Sequence, residues 1–365
     1  MMYRIFITFV VVLLGTLART QPPNEPESRL IMQHDGVVTA ATWNPDAAII
    51  LTASEDSILR LWDAASGDIL QQYQLDSPAR GAVWHPDGAR ILTWTDTGQV
   101  TIIDRTANAE SAPVPHNLSQ VNGTNWLDDN RVVIWGDVGV YIDEIIDMEW
   151  RGEPVQLSHE SSVIGLNLSD DDTHVYTFTE AGTAIIWNAR SGDQLAENDF
   201  GGEALGIVWA EDETKYVVWG LYGSAVLVDT ANRRRYNLSH RTFVNGARFN
   251  SDETRIMTWA ADDRVTVWNA SNGTEILTLV HNDWVNGARW NRDETRILSW
   301  AFDVVWLWDA ESGALLARLP HENLVNGASF HPQQETQVLT WGWDGTARVW
   351  DVASIMPPQA GDQDE

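Results

Sequence analysis

Histidines are the residues of this 365-residue chain whose type and spacing best suit metal binding or acid–base catalysis. Six of the nine occupy one repeated position, namely His34, His116, His159, His240, His281 and His321. A metal ion needs ligands that converge within ~2.0–2.6 Å, whereas a repeat disperses its equivalent residues around the molecule. The spacing therefore favours structural histidines and predicts no metal site.

Acidic clusters form a second repeated pattern, at residues 170–172, 212–213, 252–253 and 293–294. Each cluster lies between two hydrophobic segments, where type I turns favour Asp and Asn. Calcium binding is the alternative, but no cluster combines alternating carboxylates with a glycine and a distal glutamate. We therefore expect solvated turns, at which a divalent cation would only screen charge.

Motifs for nucleophilic catalysis and phosphate binding are absent from the sequence. The chain contains no G-x-S-x-G, no G-x-x-x-x-G-K-[ST] and no G-x-G-x-x-G after a strand. It has no cysteine, which excludes disulfides, cysteine-ligated zinc, iron–sulfur clusters and thiol nucleophiles. We predict a protein that is not an enzyme and that uses no cofactor or metal.

The net charge restricts the partners. It is −29, from 52 acidic and 23 basic residues. Such a surface repels phosphate, so we expect no nucleic acid partner and no direct binding to anionic membranes.

The hydrophobic strands that carry the repeated histidines and acidic turns recur every 40 to 42 residues. In each of eight copies a small residue opens a hydrophobic strand: Ala40, Gly81, Gly123, Gly165, Gly206, Gly246, Gly287 and Gly327. The seventh copy shows four strands most clearly, over residues 284–290, 296–300, 304–308 and 315–319. Four strands per repeat of ~41 residues predict an all-β fold, an eight-bladed β-propeller of four-stranded antiparallel blades.

Two further repeated residue types belong to the interior of this predicted ring. Tryptophans in the second strands, Trp94, Trp135, Trp219, Trp259, Trp300 and Trp341, would fill the wedge between neighbouring blades. We call the glycines that open the first strands the marker glycines. An asparagine precedes the marker glycine in four copies and would begin the strand that lines the channel, at Asn122, Asn245, Asn286 and Asn326. We expect these asparagines to order the ring, with the glycines allowing close approach of backbones.

The repeats resemble those of the WD-repeat propellers over residues 29–355. The resemblance rests on the repeated histidines and on closing pairs at Trp62-Asp63, Trp187-Asn188, Trp268-Asn269, Trp308-Asp309 and Trp350-Asp351. It implies a hydrogen-bonded network of histidine, Ser/Thr, aspartate and tryptophan within a blade. The implied residues are His34, Ser54, Asp56 and Trp62 in the first copy, His240, Asp262 and Trp268 in the sixth, and His321, Asp344 and Trp350 in the eighth. Copy seven is one residue short, which leaves the placement of Phe302 and Asp303 open.

The two ends of the chain differ from the repeats. Residues 1–18, with one arginine and an apolar run of thirteen, predict a signal peptide and an exported, periplasmic, envelope or extracellular protein. An uncleaved membrane anchor is the alternative. Residues 19–28 predict a flexible linker, and residues 356–365 a disordered acidic tail. The segment Ser28–Gln33 predicts a strand that completes the eighth blade and closes the ring.

Large apolar residues outside the core pattern indicate a binding surface. Phe243, Trp284 and Leu324 each follow a repeated histidine by three residues. The resemblance implies that this loop lies on one rim of the ring, beside the turn that carries Phe302 and Trp343. Adjacent residues of this type on one rim favour a protein partner with basic or aromatic groups, although they would also serve as lids over their own blades. We predict a non-catalytic, WD-repeat-type interaction scaffold. The alternatives are an enzyme or small-ligand or metal binder using the axial channel, and a purely structural envelope component.

Overall fold

The computed structural model describes residues 25–355 except 115, 170, 202–203, 212–213 and 221–222. Across these residues the chain forms 32 β-strands and no helix, in eight four-stranded antiparallel sheets. It follows that no helix in the described part is long and apolar enough to cross a membrane. The predicted signal peptide, the tail and most of the linker lie outside the described residues.

Each sheet is one blade, and the blades are numbered in chain order after β1 (Ser28–Gln33). Blade 1 contains β2 (Val38–Trp43), β3 (Ile49–Ser54), β4 (Ile58–Asp63) and β5 (Ile69–Gln74). Blade 2 contains β6 (Ala79–Trp84), β7 (Arg90–Thr95), β8 (Val100–Asp104) and β9 (Ala109–Glu110). Blade 3 contains β10 (Val121–Trp126), β11 (Arg131–Gly136), β12 (Gly139–Ile146) and β13 (Glu149–Ser158). Blade 4 contains β14 (Val163–Leu168), β15 (His174–Thr179), β16 (Thr183–Asn188) and β17 (Gln194–Asp199).

The second half of the ring has the same pattern. Blade 5 contains β18 (Ala204–Trp209), β19 (Lys215–Gly220), β20 (Ser224–Asp229) and β21 (Arg234–Ser239). Blade 6 contains β22 (Val244–Phe249), β23 (Arg255–Ala260), β24 (Arg264–Asn269) and β25 (Glu275–Val280). Blade 7 contains β26 (Val285–Trp290), β27 (Arg296–Ala301), β28 (Val304–Asp309) and β29 (Leu315–Pro320). Blade 8 contains β30 (Val325–Phe330), β31 (Gln337–Gly342) and β32 (Thr346–Asp351), with β1 as its outer strand.

The eighth blade confirms the predicted closure of the ring. β1 pairs antiparallel with β32, from Ser28 opposite Trp350 to Gln33 opposite Thr346. Met32 is fully buried in a cluster that joins blade 8 to blade 1. The all-β, eight-bladed fold is thus as predicted, and the strands predicted for the seventh copy differ from those observed by one residue at one end.

The hydrophobic core is divided among the contacts between blades. Eight clusters of buried residues lie in the described part, one between each pair of neighbouring blades. All six second-strand tryptophans predicted to fill the wedges are partly buried at the contact between their own blade and the next one around the ring, which for Trp341 is the contact between blades 8 and 1. This arrangement follows from strands whose two faces both pack against a neighbouring sheet.

The marker glycines have a different role from the one expected. In six blades the glycine of the first strand lies opposite the second-strand tryptophan, as in the pair Gly287–Trp300. A β-carbon on Gly287 would overlap the Trp300 ring, and even the ring atom Cη2 would lie only 2.7 Å away. The glycine therefore makes room for an aromatic ring of its own blade, rather than for a neighbouring backbone.

Candidate functional site

The histidine network is present inside blade 1, with one correction. The Trp62 Nε1–H donates to Thr52 Oγ1 at 2.8 Å, and His34 Nε2 lies 2.7 Å from the same hydroxyl. His34 Nδ1 lies 3.2 Å from Asp56 Oδ2. The hydroxyl is that of Thr52 and not the predicted Ser54, which accepts a hydrogen bond from the Asp56 backbone N–H at 3.1 Å. Ser54 ends β3 at the turn, whereas Thr52 lies inside the blade.

Four other blades share this arrangement. A histidine Nε2 and a tryptophan Nε1 lie within 2.6–2.8 Å of one hydroxyl oxygen in His159–Thr177–Trp187, His240–Thr258–Trp268, His281–Ser299–Trp308 and His321–Thr340–Trp350. Asp262 and Asp344 add the carboxylate in blades 6 and 8. Burial lowers the pKa of His34 to about 4, with Arg60 as a second cause, so this ring is neutral at pH 7. These groups are bonded to one another inside separate blades, which gives them a structural role.

Blade 7 lacks the carboxylate because its turn is shorter. β27 and β28 are joined by Phe302 and Asp303 alone, and Phe302 adopts a positive φ of 46°. Blade 8 has three residues in this turn, with Asp344 beside its histidine. In the described part of the chain, His281 Nδ1 is buried without a hydrogen-bond partner. Burial accordingly lowers the pKa of His281 to about 4.

The five predicted partner-binding residues lie on one edge of blades 6, 7 and 8. The rings of Phe243 and Trp284 meet edge to face, with centroids 5.7 Å apart. The Phe302 carbonyl accepts a hydrogen bond from the Val325 N–H, next to Leu324, and the Leu324 carbonyl accepts one from the Trp343 N–H, both at 2.7 Å. We call Phe243, Trp284, Phe302, Leu324 and Trp343 the aromatic rim.

Solvent reaches the aromatic rim at three rings. The exposed fractions are 57% for Trp284, 50% for Phe302 and 51% for Trp343, whereas Phe243 and Leu324 are half-buried beneath them. A pocket of about 130 Å³ opens beside these rings, and its lining includes Asp283, Phe302 and Arg318. Exposed carboxylates border the apolar surface, and the Asp283 carboxylate accepts a hydrogen bond from the Trp284 N–H at 2.7 Å. The surface therefore combines apolar area with negative charge.

The acidic turns proved to be hydrogen-bonded between blades, which the sequence reasoning missed. The Glu294 carboxylate accepts hydrogen bonds from the Asn250 side chain and the Ser251 N–H of the preceding blade, both at 2.7 Å. Glu335 accepts equivalent bonds from blade 7. The expectation of a solvated turn was thus wrong for Glu294, while residues 170 and 212–213 lie outside the described part. Among the described residues, no group of three or more His, Asp or Glu side chains could hold a metal ion.

The channel-side asparagines link neighbouring blades. Asn122 donates to the Val163 carbonyl at 2.7 Å, Asn245 to Val285 at 2.8 Å and Asn326 to Val38 at 2.9 Å, the last across the closure of the ring. The ordering role predicted for these residues is seen in these three bonds. The signal in the sequence was the Val-Asn-Gly triplet that supplies each donor asparagine, and in all three bonds the acceptor is the carbonyl of the first residue of the next blade's inner strand.

The chain is similar in sequence and in fold to known proteins. The family model described as "WD domain, G-beta repeat" matches residues 26–63 and 313–351. The SIR4-interacting protein SIF2 of Saccharomyces cerevisiae is 23% identical over 53% of this chain and 31% of its own length. Actin-interacting protein 1 of Drosophila melanogaster is 28% identical over 49% of this chain and 23% of its own length. The chain thus spans less than a third of either relative.

A third relative is covered more fully. The serine-threonine kinase receptor-associated protein of Dictyostelium discoideum is 30% identical over 64% of this chain and 80% of its own length. Among solved structures, Saccharomyces cerevisiae Sqt1 matches with a TM-score of 0.77 at 14% identity, over 90% of this chain and all of that one. The computationally designed Ika8 protein matches with a TM-score of 0.72 at 19% identity, over 87% of this chain and 97% of its own. These two structural matches support the fold alone.

Proposed function

This chain belongs to the WD40 repeat family, and on that premise we propose that it is a non-catalytic scaffold that binds a protein partner through the aromatic rim. The names of two relatives describe interacting proteins, and that of a third describes a receptor-associated protein. The observation that carries the proposal is the exposure of Trp284, Phe302 and Trp343 on adjacent blades. The proposed site of action is outside the cytoplasm, on the basis of the signal-like residues 1–18.

The rigidity of the rim supports high affinity. Phe243 packs against Trp284, and the Trp343 Nε1–H donates to Asn326 Oδ1 at 2.9 Å, so both exposed indoles are held before a partner arrives. Preorganised aromatic side chains lose little rotamer freedom on binding. They are the residue type that dominates binding energy when desolvated at the centre of an interface.

The charge of the protein defines the chemistry of the partner. With a net charge of −29 and exposed carboxylates at Asp283 and Glu322 beside the rim, the surface attracts basic groups. We therefore propose a partner that places aromatic or aliphatic side chains on the indoles and surrounds them with Arg or Lys. Raising the salt concentration should slow association, because surface charges are screened beyond ~10 Å at 0.1 M salt.

The test begins with a cross-linked pull-down from the native envelope, followed by affinity measurements on the purified partner. The bait proteins are the wild type, Trp284→Ala/Trp343→Ala, and a control Leu195→Ala/Ile276→Ala. The control residues lie on outer strands and are 52% and 49% exposed, which matches the rim. Near-ultraviolet circular dichroism establishes that each variant is folded.

The expected result is a partner bound by the wild type and the control but weakened in the rim variant. One lost hot spot of ~2 kcal/mol weakens the Kd about 30-fold, so at least this loss is expected from two. Equal affinity of the wild type and the rim variant would place the interface elsewhere. Weakening in the control alone would assign binding to the outer strands.

A further inference from the structure

The innermost strand of each blade is free of acidic residues. The described strands β2, β6, β10, β14, β18, β22, β26 and β30 contain 48 residues and no Asp or Glu. They contain three arginines, Arg80, Arg248 and Arg289. In a chain with 52 acidic and 23 basic residues, the surface around the axial channel thus has the opposite charge from the molecule as a whole.

Two of these arginines have no counter-ion among the described residues. Arg80 lies 3.3 Å from Glu55 at an exposed position. Within the part of the chain that the structure describes, Arg248 and Arg289 form no ion pair and donate no hydrogen bond to a protein group. They occupy equivalent positions in neighbouring blades, each two residues after the marker glycine.

Both arginines lie on the strand face opposite their flanking residues, which for Arg289 are Ala288 and Trp290, packed between blades 6 and 7. Ala247 and Phe249 pack into the cluster between blades 5 and 6, so Arg248 lies on the opposite face of β22. Arg248 is nevertheless exposed, although its strand is the innermost one of its blade. A side chain at this position reaches solvent only through the channel.

The two arginines lie on the inner strands of neighbouring blades, and the charge of Arg248 acts on Arg289. Although Arg248 reaches solvent, desolvation by the surrounding protein lowers its pKa, and desolvation together with the charge of Arg248 lowers the pKa of Arg289 to about 10. Both groups remain charged at pH 7. An uncompensated pair of like charges is costly where surrounding protein excludes part of the water.

At the equivalent positions of the other six inner strands, all residues are neutral. The equivalent positions in the other blades carry Thr42, Val83, Asn125, Asn167, Val208 and Ser329. Asn125 and Asn167 are exposed, and Ser329 Oγ is buried without a hydrogen-bond partner. Amides, hydroxyls and guanidinium groups all supply hydrogen-bond donors to an anion, and guanidinium binds two oxygens at once.

We propose that the axial channel binds a small phosphate-type oxyanion between Arg248 and Arg289. The anion supplies the counter-charge that the described protein groups do not, and it bridges blades 6 and 7 at their inner edge. The negative charge elsewhere on the molecule acts over longer distances, where salt screens it, whereas the two guanidinium groups contact the ion directly. The site is separate from the aromatic rim and does not depend on the scaffold function.

The test is titration of the full chain with inorganic phosphate by isothermal calorimetry at constant ionic strength set with chloride. Arg248→Asn and Arg289→Asn remove one charge each, and blades 3 and 4 already carry asparagine at this position. Arg190→Asn removes the same charge from an exposed turn and is the control. Glycerol 3-phosphate, titrated in parallel, distinguishes a phosphate ester from the free ion by which of the two binds more tightly.

We expect saturable binding of one phosphate per wild-type chain, at least ten-fold weaker binding in either channel variant, and unchanged binding in Arg190→Asn. The melting temperature of the wild type should rise with phosphate and that of Arg248→Asn/Arg289→Asn should not. Absence of saturable binding overturns the proposal. Equal weakening by all three single substitutions also overturns it, because the effect would then follow net charge rather than the channel.

Discussion

Replacing Gly287 by alanine tests the contact between a glycine and a tryptophan that recurs in six blades. The backbone of Gly287 does not have a positive φ, so alanine fits the main chain. The added β-carbon would overlap the Trp300 ring, with Cη2 at 2.7 Å. Two other ring atoms lie closer still, and since carbon atoms pack at ~3.5–4.0 Å, the indole must move by more than ~1 Å in a cluster shared with blade 8.

The cost of this movement is estimated from overpacked cores. Such substitutions cost ~1–3 kcal/mol, and because the whole indole is displaced we expect a loss of about 3 kcal/mol in the free energy of unfolding. Trp300→Ala alone should also cost about 3 kcal/mol, the lower end for a large aromatic, because the ring is only partly buried. With the ring absent, Gly287→Ala should become neutral or stabilising by up to ~1 kcal/mol, since alanine restricts the unfolded chain.

The effect of Gly287→Ala on the free energy of unfolding, with and without the Trp300 ring, is measured by urea unfolding of the wild type, both single variants and the double variant. Blade 1 is a natural precedent for the double variant, because Ala40 lies opposite Ala53 there. The coupling between the two substitutions should be about 3 kcal/mol, well above the ~0.5 kcal/mol expected for independent sites. A cost of Gly287→Ala that is the same in both backgrounds would refute the steric argument.

Three further predictions concern closure, the buried network and pH. Met32→Ala should lower the free energy of unfolding by ~2–5 kcal/mol in urea or thermal unfolding, because the side chain is fully buried. Ile31→Ala should lower it little, because Ile31 in the same strand is 57% exposed. Equal losses would contradict the closure of blade 8 by β1. Thr52→Val should lower the free energy of unfolding by ~2–4 kcal/mol, because it leaves His34 Nε2 and Trp62 Nε1 buried without a partner. Ser54→Ala should lower it by only ~1 kcal/mol. A larger loss for Ser54→Ala would show that Ser54 is the hydroxyl of the network. Burial raises the pKa of Asp143 to about 6, against ~3.9 in the unfolded chain, so stability from this group is full below pH ~4 and lost as the pH rises to ~6. In urea unfolding, Asp143→Asn should therefore be more stable than the wild type by ~2–3 kcal/mol at pH 7 and equal to it at pH 4. A difference that stays the same at both pH values would show that the titration of Asp143 does not affect stability.

The repeat spacing carried most of the information about the fold. A small residue every 40 to 42 positions and a strand before His34 were enough to predict eight blades and their closure. The sequence could not distinguish Thr52 from Ser54, because the two lie on the same face of β3 and only the three-dimensional position of Trp62 selects one. The sequence therefore predicts which strands form but not which side chains contact each other.

Contacts across strands and between blades were the least predictable. The opposition of Gly287 and Trp300 depends on the register of β26 with β27, which a strand pattern alone does not define. Glu294 looked like a solvated turn residue because the groups that donate hydrogen bonds to its carboxylate lie 43 and 44 positions earlier in the chain. Arg248 and Arg289 look like ordinary strand residues in the sequence, and only the ring shows that they lie on neighbouring inner strands with no ion pair among the described residues.

The seam between β1 and β32 also gives the ring a mechanical property. Ser28 and Trp350 are paired at one end of the ladder and Gln33 and Thr346 at the other. Because the strands are antiparallel, the chain entering β1 and the chain leaving β32 depart from the same end. Tension between these two segments would peel the ladder open one residue pair at a time, instead of shearing all its hydrogen bonds together. Under load, the ring therefore opens at its seam before any other blade carries the force.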